Sequence, residues 1–201
     1  MDYASLLGDE AEQLLSHVSK GIPKEDLIKP GPDFVDRVLV DSDRSPQVLR
    51  NLLRYSADTD VFLIFCDRRT EVDQLFRNLE RSPISVKALH GGYDQASRFR
   101  VMSAFREGDV KALLATDVAS CGLDVDHVTY VVNYSVPRDI EAYTHRIGRT
   151  GRAGRTGHSI TFVTPEKARR WREITQKAPW EVPEGEVPGS DYRGPGRALK
   201  A

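Results

Sequence analysis

Residues 61–81, VFLIFCDRRTEVDQLFRNLER, contain two structural patterns in direct succession. The stretch opens with VFLIFC, an unbroken apolar run of the length of a buried strand. Further on, Val72, Leu75, Phe76 and Leu79 recur at helical spacing, which predicts an amphipathic helix. A buried strand followed at once by such a helix is the repeating unit of parallel sheets.

The same alternation continues on both sides of this stretch. Strands are predicted at FVDRVLV (34–40), VKALH (86–90), VKALLAT (110–116), VTYVVNYS (128–135) and HSITFVT (158–164). Helices are predicted at SPQVLRNLLRYS (45–56), DQASRFRVMSAFREG (94–108), PRDIEAYTHRIGR (137–149) and PEKARRWREITQKA (165–178). The pattern predicts an α/β fold with a parallel β-sheet and helices on both faces, which is a three-layer α/β/α architecture.

Composition changes divide the chain into three segments. Residues 1–33 contain an amphipathic helical pattern and then Pro23, Pro30 and Pro32, so we expect a helical extension or linker. Residues 34–178 carry the alternating pattern and form the predicted domain. Residues 179–201 include four prolines and four glycines, which indicates a flexible tail.

The overall composition is that of a soluble globular protein. The chain is 39% hydrophobic and 29% charged, with a net charge of −1. No apolar run approaches the ~18 residues of a membrane span, and no signal peptide pattern is visible, so we expect no membrane partner. The two cysteines, Cys66 and Cys121, lie among apolar or small residues without metal-ligand spacing. This usage favours a reducing intracellular compartment and predicts neither a disulfide nor a metal site.

A glycine-rich arginine array lies at residues 142–157, AYTHRIGRTGRAGRTG. Arg146, Arg149, Arg152 and Arg155 are spaced by three, and the spacing predicts that the first two share a helix face. Guanidinium groups in such a setting bind phosphate oxygens with paired hydrogen bonds. The alternative is a solvated arginine face at a helix end, favoured by the helix dipole. Because the whole chain is nearly neutral, any polyanion site must be local.

Two further polar segments follow predicted strands, where ligands bind in open parallel sheets. They are CDRRT (66–70) and ATDVASCGLD (115–124). Thr116 and Asp117 could present a hydroxyl and a carboxylate to a ligand, or they could cap a helix. The sequence contains no G-x-x-x-x-G-K-[ST] loop, so this chain is not expected to hold a triphosphate and Mg²⁺ alone.

These segments together resemble a known family. HRIGRTGRAGR is similar to helicase motif VI, ATDVASCGLD to motif V and VFLIFCDRRTEVDQL to motif IV. LHGGYDQASRFRVMSAFREG is similar to the segment with the family's Q-x-x-R pair, here Gln95 and Arg98. From about Phe34 to Lys177 the chain resembles the C-terminal RecA-like domain of DEAD-box RNA helicases, in helicase superfamily 2.

The resemblance implies a RecA-like fold and a share in an ATP site. In this family ATP binds between two RecA-like domains, and the N-terminal one holds Mg²⁺. Arg149 and Arg152 match the catalytic arginine fingers that contact the γ-phosphate. Gly122 and Asp124 match motif V positions at the nucleotide, with the aspartate on the ribose. The isolated chain is therefore expected to be inactive, with the N-terminal RecA-like domain and RNA as its partners.

The resemblance also implies RNA contacts and interdomain coupling. The residues that match the RNA-backbone contacts are Thr116, Gly91, Gly92, Arg68 and Arg98. The residues that match the coupling of the two domains are His145, Arg146 and Gln95.

The chain departs from the family pattern at two positions. Cys121 stands where motif V usually has arginine, and Arg68 stands where motif IV usually has threonine. These departures leave alternatives to an active RNA helicase domain. The chain could be a catalytically degenerate RNA-binding or regulatory module of the same fold. A DNA translocase of the same superfamily is a third possibility, because RNA is distinguished through 2′-hydroxyl contacts that a sequence does not display.

Overall fold

A computed structural model describes residues 35–120, 125, 127–151, 156–178 and 182. Among these residues, six parallel strands form one sheet in the order β1-β6-β5-β2-β4-β3. The strands are β1 (Val35–Leu39), β2 (Phe62–Phe65), β3 (Val86–Leu89), β4 (Ala112–Ala115), β5 (Tyr130–Asn133) and β6 (His158–Val163).

Helices connect successive strands, as the alternating pattern predicts. They are α1 (Ser45–Tyr55), α2 (Arg69–Leu79), α3 (Gln95–Arg106), α4 (Asp117–Ser120), α5 (Ile140–Ile147) and α6 (Ala168–Thr175). A 3₁₀ turn at Pro165–Lys167 precedes α6.

The sheet is covered on both faces. Phe62 and Ile64 of β2 point into a core shared with α1 and α2. Leu63 and Phe65 point into a core on the opposite face, shared with α3. All four side chains of β2 are buried, which explains why its sequence is a continuous apolar run. The predicted three-layer α/β/α fold with a parallel sheet is confirmed.

Side-chain caps fix where two of the helices begin. The Asp94 carboxylate accepts a hydrogen bond from the Ser97 N–H at 2.7 Å, so α3 begins at Gln95. Asp139 does the same for α5 through the Ala142 N–H, also at 2.7 Å. The start of α1 has no such cap, because Arg44 at the N-cap position makes no side-chain cap hydrogen bond, and the Ser45 hydroxyl donates to the carbonyl of Asp41, which precedes the helix.

One described residue beyond the predicted domain boundary at residue 178 packs against the domain. Val182 is 7% exposed and packs with Val163 and Trp171. Its carbonyl accepts a hydrogen bond from Arg37 Nη1 at 2.6 Å. The predicted extension at 1–33 lies outside the described residues. Within the described ranges, no helix is long and apolar enough to cross a bilayer.

Candidate functional site

Three neighbouring strands bring predicted RNA-contact residues to one edge of the sheet. Strands β2, β4 and β3 are adjacent and parallel, so their carboxyl ends lie side by side. Arg68 follows β2, Thr116 follows β4, and the Gly91–Gly92 turn follows β3. Arg68 and the two glycines are exposed, whereas Thr116 is 8% exposed.

Arg146 lies at the centre of a buried polar network behind this edge. Its side chain is 1% exposed in the last turn of α5. Nε and Nη2 donate to the two carboxylate oxygens of Asp117 at 2.7 and 2.8 Å. Nη1 donates to the Ser135 carbonyl at 2.8 Å, and Nη2 lies 3.4 Å from Asp67 Oδ1. One guanidinium thus joins the segments that follow β2, β4 and β5.

The Arg146 guanidinium binds carboxylates of its own domain, because the strand ends surround it with acceptors. Asp117 accordingly presents its carboxylate to Arg146. The assignment of Arg146 to interdomain coupling stays a prediction. The prediction that Arg146 and Arg149 share a helix face is wrong, because α5 ends at Ile147. The Arg149 N–H donates to the Arg146 carbonyl at 3.1 Å, in the turn that follows the helix.

A second set of hydrogen bonds fixes the connection between β2 and α2. Glu71 Oε2 accepts from the Asp67 N–H at 2.9 Å and from the Ser135 hydroxyl at 2.6 Å. The other Asp67 oxygen, Oδ2, lies 3.9 Å from Nη1 of Arg170 on α6. Asp67 therefore lies between two arginines, Arg146 and Arg170, and its backbone is held as well.

The Cys66 thiol at the end of β2 stays neutral. Burial raises its pKa well above the ordinary value of 9.0, and the negative charges of Glu71 and Asp67 raise it further. The positive charge of Arg146 acts in the opposite direction but is outweighed. A thiol held in the protonated form is a packing group and a poor nucleophile.

The segment that follows α5 is held at the base of a loop. The Thr150 hydroxyl is directed at the carbonyls of Val128 and Thr129, at 2.7 and 3.0 Å. Gly151 has a φ of +68°, a conformation that favours glycine. A Cβ at Gly157 would overlap the Gly151 backbone nitrogen, so positions 151 and 157 approach each other at a distance that only glycine at 157 allows. Arg149 is therefore placed between two fixed points, Arg146 and Thr150.

The glycine turn after β3 is organised by His90. The Gly92 N–H donates to His90 Nδ1 at 3.0 Å, which leaves the proton on Nε2. Nε2 lies 2.9 Å from Asp73 Oδ1 and donates to it. Among the described residues, the Gly91 N–H has no acceptor. A Cβ at Gly91 would lie 3.0 Å from Arg69 Nη2, so this guanidinium rests against the turn.

The other described site residues lie on the surfaces of two helices. Gln95 is exposed at the first position of α3, and Arg98 is half-buried one turn later. His145 is exposed in the last turn of α5, next to the buried Arg146.

Three site predictions, Gly122, Asp124 and Arg152, lie outside the described residues, as does Cys121. In the described part of the chain, no group of three or more His, Cys, Asp or Glu side chains is arranged to hold a metal ion.

Sequence reasoning missed four residues that build this site, and their local signals differ. Arg69 adjoins the predicted Arg68 and could have been included on that basis. Asp67 and Glu71 bracket the start of α2, where acidic residues are common for dipole reasons alone. Ser135 gave no signal, because its role depends on contacts with residues 64 and 11 positions away.

Comparisons with known proteins agree with this geometry. Residues 44–154, more than half of the chain, match the family described as the helicase conserved C-terminal domain. The probable ATP-dependent RNA helicase DDX46 of Homo sapiens is 40% identical over 132 residues, which is 66% of this chain and 13% of that protein. The chain thus spans about an eighth of that relative's length.

Two solved structures are similar in fold. E. coli DEAD-box protein SrmB, bound to regulator of ribonuclease activity A, has a TM-score of 0.74 and 27% identity, covering 83% of this chain and 99% of that one. S. cerevisiae Dbp5 bound to RNA and ADP BeF3 has a TM-score of 0.71 and 25% identity, covering 88% and 49%.

The fold and the site therefore define a RecA-like helicase domain. The chain belongs to the helicase conserved C-terminal domain family, of the DEAD-box type.

Proposed function

We propose that this chain is the C-terminal half of an ATP-dependent RNA helicase motor. Arg149 and Arg152 contact the γ-phosphate as arginine fingers, and Gly122 and Asp124 contact the rest of the nucleotide. An N-terminal RecA-like domain of the same protein supplies the phosphate loop and Mg²⁺. Neither domain is active alone, because each holds half of the site.

One observation carries this proposal: hydrogen bonds within the domain hold the chain on both sides of Arg149. Arg146 anchors it on one side through Asp117, and Thr150 anchors it on the other through backbone carbonyls. Positioned charges stabilise a transition state best when they do not have to reorganise during the reaction. A segment pinned on both sides of an arginine meets that requirement.

The donors of this chain fit a phosphate-bearing ligand. The array contains arginines and glycines without an intervening carboxylate, and guanidinium pairs well with phosphate oxygens. When bound, ATP with Mg²⁺ supplies the phosphoryl group that is transferred to water. The role of Arg149 and Arg152 is to neutralise the negative charge that develops on the phosphate oxygens. Arginine fingers of this kind are worth ~10³–10⁵ in rate.

The carboxyl edge of β2, β4 and β3 is proposed as the RNA-backbone surface. Arg68 and Arg98 supply charge, and the Gly91–Gly92 turn and Thr116 supply polar contacts. Because the Gly92 N–H is already bonded to His90, the N–H of Gly91 is the donor we assign to a phosphate oxygen. Such contacts position a strand without reading its sequence.

In this proposal, coupling between the RNA and ATP sites uses exposed residues that contact the N-terminal domain and one buried residue within this domain. His145 and Gln95, both exposed, are assigned to contacts with the N-terminal domain. Arg146 contributes from inside, since it joins Asp67 beside Arg68 to the turn that carries Arg149. A shift at the RNA edge would be transmitted through this guanidinium.

RNA-stimulated ATPase activity of the protein with both RecA-like domains tests the proposal. Arg149→Ala and Arg152→Ala should each lower kcat by ~10³ or more, because each removes a charge from the transition state. Arg138→Ala is the matched control, since Arg138 is 79% accessible to solvent and, among the residues the structure describes, pairs only with Asp139. It should leave kcat within about twofold of the parent.

Two results would contradict the proposal. Equal loss in the Arg138 control and the finger variants would show that general charge is responsible. Little ATPase activity in the parent itself, with RNA binding retained, would favour the catalytically degenerate module, and Cys121 would be the first position to restore to arginine.

A further inference from the structure

An open cleft of about 520 Å³ lies on the helical face formed by α1 and α2. Its lining residues are Arg50, Arg77, Asn78, Arg81 and Ser82. Three of these five side chains are cationic, and none is acidic, apolar or aromatic. This is a concentrated positive charge on a chain whose net charge is −1.

Local structure does not neutralise this charge. In the described part of the chain, neither the Arg77 nor the Arg81 side chain has a hydrogen bond or ion pair, and both residues are exposed. Arg50 bridges the two helices through Gln47 Oε1 at 3.2 Å and the Asn78 carbonyl at 3.4 Å, both uncharged groups. Glu80, adjacent to Arg81, does not line the cleft.

The helix dipole explains two of the three arginines. Arg77 lies in the last turn of α2 and Arg81 directly follows its C-cap, Glu80, and a cation is favoured near this end of a helix. Arg50 lies in the middle of α1, so its position does not come from that effect. The convergence of three arginines in one cleft suits a ligand of opposite charge.

Helix α2 connects the cleft to the edge that carries Arg68 and Arg69. Helix α2 begins at Arg69 and reaches Arg77 eight residues later. At ~1.5 Å per residue, the two positions are about 12 Å apart along the helix axis. Phosphates along a strand of a helical duplex advance ~3.4 Å each, so about four nucleotides cover that distance.

We propose that this cleft binds the phosphate backbone of RNA that continues from the carboxyl edge down the α1–α2 face. Guanidinium groups pair with phosphate oxygens, and the polar lining offers nothing for a base or an apolar side chain to insert into. An acidic peptide fits less well, because peptide docking relies on apolar anchors in addition to charge. This inference rests on the proposed function, since it extends the same RNA surface.

RNA binding by the 201-residue chain, followed by fluorescence anisotropy without nucleotide, tests the proposal. Labelled single strands of about 4 and about 20 nucleotides are compared, since three adjacent strand ends span only about 10 Å, which three phosphate steps of ~3.4 Å cover. The test variant is Arg77→Ala/Arg81→Ala. The matched control is Arg106→Ala/Arg172→Ala, which removes two exposed arginines from helices on the opposite face of the sheet.

The expected result depends on RNA length. The test variant should weaken binding of the long RNA and leave the short one unchanged. The slope of log Kd against log salt for the long RNA should decrease by about 1.4, because each phosphate contact to a single strand contributes ~0.7. The control variant should match the parent for both lengths, and thermal melting should show that both variants are folded.

Three outcomes would overturn the inference. The test and control variants could behave alike with the long RNA, or the test variant could weaken both lengths equally. Unchanged RNA binding with loss of polyglutamate binding would assign the cleft to an acidic protein segment. Arg68→Ala/Arg98→Ala separates this failure from that of the proposed function, since loss of short-RNA binding in that variant alone would keep the edge assignment.

Discussion

At the scale of single residues, Arg146 is the side chain on which the candidate site depends most. Its guanidinium satisfies Asp117 and approaches Asp67, and it stacks over Phe65 with Cζ 5.1 Å from the ring centroid. Removing it leaves a void over Phe65 at a position that is 1% exposed, and it leaves Asp117 and Asp67, which are 43% and 32% exposed, without the cation between them. The cavity and the lost charge pairs together cost more than loss of a surface pair.

Arg146→Ala should therefore lower the free energy of unfolding by about 3–5 kcal/mol. Urea denaturation followed by circular dichroism measures this change. Arg138→Ala, two residues before α5, serves as the control and should cost less than about 1 kcal/mol, because its ion pair is exposed to solvent. Similar losses in the two variants would mean that the network contributes little net stability.

At the scale of elements, the start of α3 carries a pH dependence. Two hydrogen bonds from Ser97, its N–H at 2.7 Å and its hydroxyl at 3.1 Å, lower the pKa of the Asp94 carboxyl below the ordinary value of 3.8. Because the folded pKa is the lower one, the ionised cap stabilises α3 above pH 3.8. That stabilisation is lost as the pH falls below 3.8 and through the folded pKa.

The Ser97 amide should report this titration in an NMR experiment from pH 6 to pH 2. We expect its chemical shift to move with a midpoint below 3.8, as the protonated carboxyl releases the N–H. Asp94→Asn keeps a side-chain oxygen at the cap but cannot titrate, so its Ser97 shift should stay constant. A midpoint at or above 3.8 in the parent would show that the cap does not favour the ionised form.

The element scale also explains why the two proposed ligand surfaces are linked. Helices α2 and α3 begin at the carboxyl edge, and α5 ends beside it through Arg146. Each of these elements presents a predicted site residue at or near its terminus. Short connections between buried strands and capped helices leave those termini little freedom, which suits residues that must act together.

At the scale of the whole molecule, the packed domain includes a residue from the segment predicted to be a flexible tail. Val182 completes the cluster of Val163, Trp171 and Ile174, and its carbonyl binds Arg37 next to β6. Val182→Ala should lower the free energy of unfolding by about 2 kcal/mol, because it removes buried methyl groups.

Val118→Ala is the matched control for this change. Val118 is 77% exposed, so the same substitution should alter the free energy of unfolding by less than about 0.5 kcal/mol. Urea denaturation of both variants makes the comparison. Equal stabilities would place the end of the domain core before Val182, as the composition of residues 179–201 suggested.

The sequence by itself determined the architecture and the positive charge of the candidate site. Strands β2 and β4 are buried on both faces, so their sequences are unbroken apolar runs. Helix α2 is buried on one face, so its apolar residues recur at helical spacing. Both patterns can be recognised within a short stretch of sequence. The arginine–glycine array predicted a phosphate-binding segment, which stays a prediction, and the motif order identified the family.

Only the tertiary structure decided which environment each described arginine of the array occupies. Arg146 and Arg149 look equivalent in the sequence, but one is buried against Asp117 and Asp67, which are 29 and 79 residues away. The same holds for the arginine cleft, where Arg50 meets residues from another helix. Local patterns set which apolar side chains are buried. The acceptors and neighbours of a guanidinium, and hence its burial, depend on strand order, which no local pattern encodes.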